Sequence, residues 1–309
     1  MLYIKHSNQS TCRIFETASD KPQKTENYLS FHAAKISLMN YKFLPVVLMA
    51  IFFEIIQSCA RHPYKETNKV YKKQAKEYSK LLSKYPVHDS AGNQPYFVGT
   101  TNFSMRRPNY VIIHHTAQNS CDQTLQTFTQ SRTPVSSHYV ICKDGTVFHM
   151  LNDLLRGHHA GVGKWGSLTD LNSISVGIEL DNNGAEPFTE AQIISLIDVL
   201  NRLKNAYNIP AANFIGHADI APGRKVDPNR NFPWERLSQL GFGFWYDTTN
   251  VQVPMDFNPV QALRVIGYDT KNETQAIQSF KLHFVQNDSL AVLTDADRKI
   301  LADLVKKYQ

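Results

Sequence analysis

Tyr110-Val111-Ile112-Ile113-His114-His115-Thr116 is the stretch from which the rest of this 309-residue chain is read. A β-branched apolar run that ends in two histidines predicts a strand that delivers polar side chains to a site at a sheet edge. Working outward, Ser137 to Cys142 and Thr146 to His149 flank Lys143-Asp144-Gly145, which predicts a hairpin. Ile174 to Leu180 is a further strand with Glu179 close to its end. Thr189, with Gln192 three residues on, predicts a capped helix start, and Ile193, Leu196, Ile197, Leu200, Leu203 and Tyr207 keep a helical apolar period. Asn213 to His217 reads as a short strand ending in a third histidine, and Pro233 opens a helix through Leu240 that Gly241 closes.

The composition is that of a globular chain: 42% hydrophobic and 19% charged. The net charge of +6 raises the question of nucleic acid, but no zinc finger, helix-turn-helix or aromatic single-strand motif accompanies it, so a nucleic-acid partner is not expected. An anionic surface, such as a bacterial wall or acidic lipid, suits the same charge. None of the four cysteines forms a CxxC pair, which argues against a structural zinc knuckle. Cys121 and Cys142 fit either a disulfide in an oxidising compartment or two buried thiols.

Phe43 to Ile56 is an apolar run broken only by Glu54, of a length typical of a signal-peptide core and short for a membrane span. Met39 and Lys42 precede it, and Ile56-Gln57-Ser58-Cys59 follows it in the manner of a lipoprotein cleavage site, with Cys59 as the lipidated residue. Residues 39–59 are therefore read as a lipoprotein-type signal, 1–38 as an over-extended start, and the lysine-rich stretch 60–94 as a basic tether with some helix. An uncut hydrophobic anchor is the competing reading.

The chemistry concentrates in Gly216-His217-Ala218-Asp219-Ile220-Ala221-Pro222-Gly223-Arg224-Lys225-Val226-Asp227-Pro228. A catalytic zinc takes three ligands from His, Asp, Glu or Cys and keeps a fourth position open for water. Two neutral histidines and one carboxylate leave such a site a residual charge of about +1, which acidifies that water. The segments IIHHTA, SSHYVI, HHAG, VGIELDN, IGHADIAPGRKVDP and NFPWERL resemble, in order, the zinc-dependent N-acetylmuramoyl-L-alanine amidases of the second amidase family, and within it the outer-membrane lipoprotein members. That resemblance implies one zinc ion held by His114, His217 and Asp227, with Glu179 as the catalytic glutamate and Lys225 beside the metal. It leaves His115 off the metal, and alternation along a strand also favours only one of the histidine pair. The implied fold is α/β, a central mixed β-sheet flanked by helices with a zinc-containing groove, over residues 95–250.

His159 matches a groove-lining position and His138 lies near the site; each is a substrate contact, a support for the ligands, or a structural residue. Trp165 and Asn172 precede the Glu179 strand and either contact sugar or peptide or pack their loop. His149, His158 and His283 are read as structural. Residues 253–309 predict a small three-helix domain: one helix from Asn258-Pro259 to Gly267, one with Ala276, Ile277, Phe280 and Phe284, and one capped at Thr294. It resembles the peptidoglycan-binding module appended to wall hydrolases, or else serves only to pack against the larger domain.

The expected function is hydrolysis of the amide between N-acetylmuramic acid and L-alanine, by a monomer lipid-anchored on the periplasmic face of the outer membrane, with peptidoglycan or muropeptides as substrate. The alternative is a peptidoglycan-recognition protein on the same fold that binds without cutting; retention of all five site residues favours the enzyme. The signal-like segment argues against a cytoplasmic recycling amidase or a phage-type lysin. A mass spectrum of the mature protein is expected to contain no tryptic peptide from residues 1–35; finding one overturns this placement of the start.

Overall fold

β1, Tyr110–His115, lies inside a five-stranded sheet with a parallel partner on either side. Val111, Ile112 and Ile113 are fully buried. A strand covered on both faces has no solvent side to alternate toward, which is why the sequence there is a continuous apolar run. The computed structural model describes residues 63–83, 100, 102 and 104–309. The proposed over-extended start, the signal segment with Cys59, and the stretch from 84 to 99 lie outside the described residues.

The remaining strands are β2 (Tyr139–Ile141), β3 (Val147–His149), β4 (Ser175–Leu180) and β5 (Phe214–Gly216). Their order across the sheet is β3-β2-β4-β1-β5, with β3 antiparallel to β2 and every other pairing parallel. The sheet is thus mixed, as expected. The β2–β3 turn is Lys143-Asp144-Gly145, where Gly145 takes φ of +87° against Ala191 and Ser195, a conformation and a space that suit glycine.

The α-helices among the described residues are α1 (Lys65–Leu82), α2 (Cys121–Thr129), α3 (Glu190–Tyr207), α4 (His217–Ile220), α5 (Trp234–Gln239), α6 (Pro259–Ile266), α7 (Glu273–Phe284) and α8 (Asp295–Tyr308), and those after α1 cover both faces of the sheet. The chain divides into two units within α1, Met1–Ala75 and Lys76–Gln309, and the sheet with its covering helices belongs to the second. α1 itself buries no residue. No described helix is long and apolar enough to cross a membrane.

On one face, Val111, Ile113, Val176, Ile178 and Leu180 pack with Ile193, Leu196, Leu200 and Leu203 of α3 and with Trp234 and Leu237 of α5. α3 begins in the expected capping box: Thr189 Oγ1 accepts from Gln192 N and Gln192 Oε1 accepts from Thr189 N, both at 3.2 Å. The buried Gln192 amide also donates to Asp181 O at 2.8 Å, so the helix start is tied to the end of β4. On the other face, Ile112 and Ile215 join one hydrophobic cluster with Leu263, Ile266, Phe280, Phe284, Leu301 and Leu304 from α6, α7 and α8. Residues 253–309 do form three helices, but their core runs on into the sheet. Each such side chain contributes about 1.5–3 kcal/mol on burial, so the C-terminal helices stabilise the face they cover.

One strand end differs from the sequence reading, and one open alternative is decided. The strand expected to end at His217 ends at Gly216, because Asp219 Oδ2 accepts from Gly216 N at 2.7 Å and turns His217 into the first residue of α4. Of the two readings open for Cys121 and Cys142, the structure has the disulfide, with Cα atoms 5.4 Å apart, joining the first residue of α2 to the end of β2. Closing a loop of 21 residues contributes about 3 kcal/mol in the chain-entropy model.

Asp153, buried beside the sheet edge, accepts from the Tyr139 hydroxyl at 2.5 Å and the Tyr207 hydroxyl at 3.2 Å and pairs with His149 at 3.3 Å. Burial pushes its carboxyl up, but the bonds from His149 and Tyr139 and the Arg202 charge outweigh it and bring it down to about 2. A carboxylate depressed in the folded state adds stability above its unfolded pKa and loses it as pH falls through the folded one. Urea unfolding should therefore show the wild type losing roughly 2 kcal/mol from this group between pH 4 and pH 2. Asp153→Asn should be less stable at pH 7 by a similar amount and lack that component; an unchanged acid profile would refute it.

Candidate metal centre and its groove

The carboxyl ends of three parallel strands converge here, the usual ligand edge of such sheets. His114 on β1 sits in register with Glu179 on β4, and Ile113 with Gly216 on β5, so His217 follows at the same level. Asp227 comes from the loop after α4, whose backbone is fastened to that helix by Ala218 N donating to Asp227 O at 2.8 Å. His114 Nδ1 lies 2.9 Å from His217 Nδ1 and 3.1 Å from Asp227 Oδ2, and His217 Nδ1 lies 3.0 Å from the same oxygen. These three buried residues form the group that could hold a metal ion.

The protons around this triangle can be placed from its neighbours. Ser175 hydroxyl donates to Leu171 O at 2.5 Å, so Ser175 Oγ accepts from His159 Nε2 at 3.3 Å. His159 Nδ1 is then the acceptor for His114 Nε2 at 3.1 Å, and His114 Nδ1 carries no hydrogen. His217 Nε2 faces Ala160 O at 2.9 Å, a pure acceptor, so its Nδ1 is also bare. Burial, then the neighbouring His217, lowers His114 to about 4, and burial lowers His159 well below its ordinary value, so both stay neutral. Burial raises Asp227, but the two imidazoles outweigh it and hold the carboxyl well below the usual range. Two lone pairs and a carboxylate oxygen thus meet with no proton between them, a donor set that fits a cation. Their spacing is close to the roughly 3.3 Å between tetrahedral ligands at about 2.0 Å from zinc.

Glu179 is half-buried beside the group, and its shielded Oε2 has no hydrogen-bond partner. Burial and the Asp227 charge, partly offset by Lys225, push it up to about 8. Lys225 and Glu179 line the same cavity of about 390 Å³, along with the three donors. Among the described residues the Lys225 ammonium makes no ion pair. A second cavity of about 380 Å³ continues past Arg156, Asn172 and Arg224. A third, of about 620 Å³, runs from Lys225 and Arg230 to Gln278 and Leu282 on α7.

His115 points away from the group, its Nδ1 accepting from Asn229 N at 3.1 Å. His159 is packed over Gly177, where a Cβ would come within 2.4 Å of its ring, and so supports His114 from behind. Asn172 accepts from His159 N and Ala160 N through one Oδ1 and lines the second cavity. Two expected substrate contacts are corrected. His138 is fully buried, its Nδ1 accepting from Gly177 N and its Nε2 facing Leu155 O, so it offers a substrate no atom. Trp165 is buried edge-on against Tyr268 and packs the C-terminal helices to their loop.

Sequence reasoning missed Ser175, Arg224 and Arg106. Ser175 was detectable as a hydroxyl on the same strand face as Glu179, two pleats away. Arg224 donates to Ala160 O at 3.0 Å and also to Val162 O, which shapes the groove wall, and Arg106 binds the carbonyls of Asp153, Leu154, Leu155 and Ser173. Their partners are backbone atoms, which leave no pattern in sequence.

The sheet and its flanking helices have the fold of the N-acetylmuramoyl-L-alanine amidases. A family described as N-acetylmuramoyl-L-alanine amidase matches residues 104–230. N-acetylmuramoyl-L-alanine amidase AmiD of Escherichia coli strain K12 is 32% identical over 234 residues, covering 64% of this chain and 82% of the relative. The solved complex of the E. coli enzyme with anhydro-N-acetylmuramic acid-L-Ala-D-γ-Glu-L-Lys superposes with a TM-score of 0.60 at 28% identity, covering 72% of this chain and 97% of that one. AmpDh3 of Pseudomonas aeruginosa, solved with an anhydromuramic pentapeptide, gives a TM-score of 0.60 at 25% identity, covering 72% and 98%. The chain belongs to the N-acetylmuramoyl-L-alanine amidase family.

Proposed function

We propose that this protein hydrolyses the amide bond between N-acetylmuramic acid and L-alanine in peptidoglycan, using one zinc ion held by His114, His217 and Asp227. The observation that carries the reading is the convergence of two hydrogen-free Nδ1 atoms and one carboxylate oxygen at 2.9–3.1 Å, beside a carboxyl oxygen with no partner. When bound, zinc would supply a Lewis acid that acidifies water and polarises the scissile carbonyl.

Glu179 then serves as general base and acid. Its unpartnered Oε2 is free to take the proton of the attacking water, and its raised proton affinity suits holding that proton until the leaving amine collects it. The added cation and Lys225 both favour the ionised form needed for the first transfer. Lys225, unpaired in the same cavity, supplies positive charge for the oxyanion that develops on the carbonyl. His159 and Ser175 fix the tautomer of His114, and Asn172 holds the His159–Ala160 backbone that His217 also uses.

The protein would act on the sacculus as a monomer, anchored through Cys59 to the outer membrane from its periplasmic side, with residues 253–309 adding contact to the wall. The Cys121–Cys142 disulfide supports an oxidising compartment. A recognition protein that binds the same polymer without cutting has no use for an unpaired buried Glu179.

Purified sacculi digested by the protein should release free stem peptides only when zinc is present, read by mass analysis with and without chelator. Products cut in the glycan, or activity unaffected by full chelation, would overturn the reading. His217→Ala should lose both zinc and turnover. Glu179→Ala should keep zinc while turnover falls by about 10²–10⁴; loss of the metal instead would show that Glu179 helps to hold it.

A further inference from the structure

We infer that Tyr268 and His283, both from the C-terminal helices, are positioning residues for the metal centre, acting through Asp219 on the turn that carries His217. The inference rests on the zinc reading of the site and gives the C-terminal helices a task in it. Asp219 is 1% exposed, and three hydrogen bonds converge on its carboxylate. Oδ2 accepts from Gly216 N at 2.7 Å and from His283 Nδ1 at 2.8 Å, and Oδ1 accepts from the Tyr268 hydroxyl at 2.7 Å.

The backbone that Asp219 holds is the one that matters to the donors. Gly216 N belongs to the peptide in front of His217, and α4, which His217 opens, is only four residues long. A single helical turn does not hold itself, because nucleation costs more than its few bonds return. Its conformation is imposed by the Asp219 bond. The next amide, Ala218 N, donates to Asp227 O at 2.8 Å, so the same turn also sets the backbone of the carboxylate donor.

The floor beneath the turn is built by Trp234 of α5 and His283 of α7. The His283 ring stacks on Trp234 at 3.9 Å and 14° between planes. Trp234 lies against Gly216, where a Cβ would come within 3.2 Å of the indole and 2.9 Å of Pro228. His283 Nε2 is buried with no partner. A phenyl ring would fill this slot without leaving an unpaired polar atom, so the imidazole's particular contribution is the Nδ1 bond to Asp219.

The test measures zinc affinity of the full-length protein by competition with a chromophoric chelator, together with thermal unfolding. Tyr268→Phe removes one oxygen and keeps the ring against Trp165; His283→Phe keeps the stack on Trp234. Each should raise the zinc Kd about tenfold, as loss of partners behind metal ligands does elsewhere. His283→Asn, whose amide nitrogen falls near the place of Nδ1, should recover most of that loss. Arg298→Ala, which removes a bond from α8 to Phe257 O ahead of α6, should lower Tm and leave the zinc Kd unchanged. If Tyr268→Phe and His283→Phe lower Tm but bind zinc as the parent does, or if His283→Asn binds as weakly as His283→Phe, the inference is overturned while the zinc reading stands. A parent protein that binds no zinc overturns both.

Discussion

The parallel register of β1 with β4 and β5 is the constraint on which the site depends. It sets His114 beside Glu179 and brings the residue after Gly216 to the same level, so three strands offer side chains to one point without any long loop having to find it. A slip of one residue in any of these pairings turns the side chains to the opposite face. What prevents the slip is the apolar packing of Val111, Ile113, Val176 and Ile178 on one face and of Ile112 and Ile215 on the other. Core and site are in this sense one specification: the residues that fix register are interleaved with those that carry chemistry.

Register alone would leave each imidazole free to choose a tautomer. That choice is made behind the donors, by groups whose own direction cannot be reversed. A carbonyl oxygen only accepts, so Ala160 fixes His217 directly, and Leu171 fixes Ser175, which fixes His159, which fixes His114. Gly177 is part of the same device, since only a residue without a side chain lets the His159 ring lie over β4. The protons therefore point outward and the lone pairs inward, the preorganisation that the proposed metal site would need.

Much of this was legible in the sequence because it rests on periodicity and on local caps. The apolar run at Tyr110, the hairpin around Gly145, the Thr189–Gln192 box and the three C-terminal helices each follow from patterns a few residues long. The donors His114, His217 and Asp227, which the structure brings together, were read from their resemblance to a family. What escaped is long-range and directional. Nothing near His138 or Trp165 in the chain distinguishes a groove residue from a buried one, and only the fold sets His138 under Gly177 and Trp165 against Tyr268. The end of β5 was misplaced by one residue for a similar reason: the Asp219 carboxylate that stops it is held from 49 and 64 positions away.

The distribution of unpaired polar atoms then acquires a meaning. Four buried side-chain atoms lack a partner among the described residues, and two of them, Glu179 Oε2 and His283 Nε2, belong to the centre and to the support beneath it. Each costs about 1–3 kcal/mol, which selection for stability alone would remove by a change to an apolar or smaller residue. At Glu179 the open position is the proton site of the proposed mechanism, so satisfying it would end that chemistry. At His283 it accompanies a ring whose other nitrogen is committed to Asp219. The disulfide from α2 to the end of β2 and the continuous core under α6, α7 and α8 offset these local costs. The stability that the C-terminal helices add and the order they impose on the His217 turn are therefore two consequences of the same packing, separable only by substitutions that spare the packing and remove the hydrogen bond.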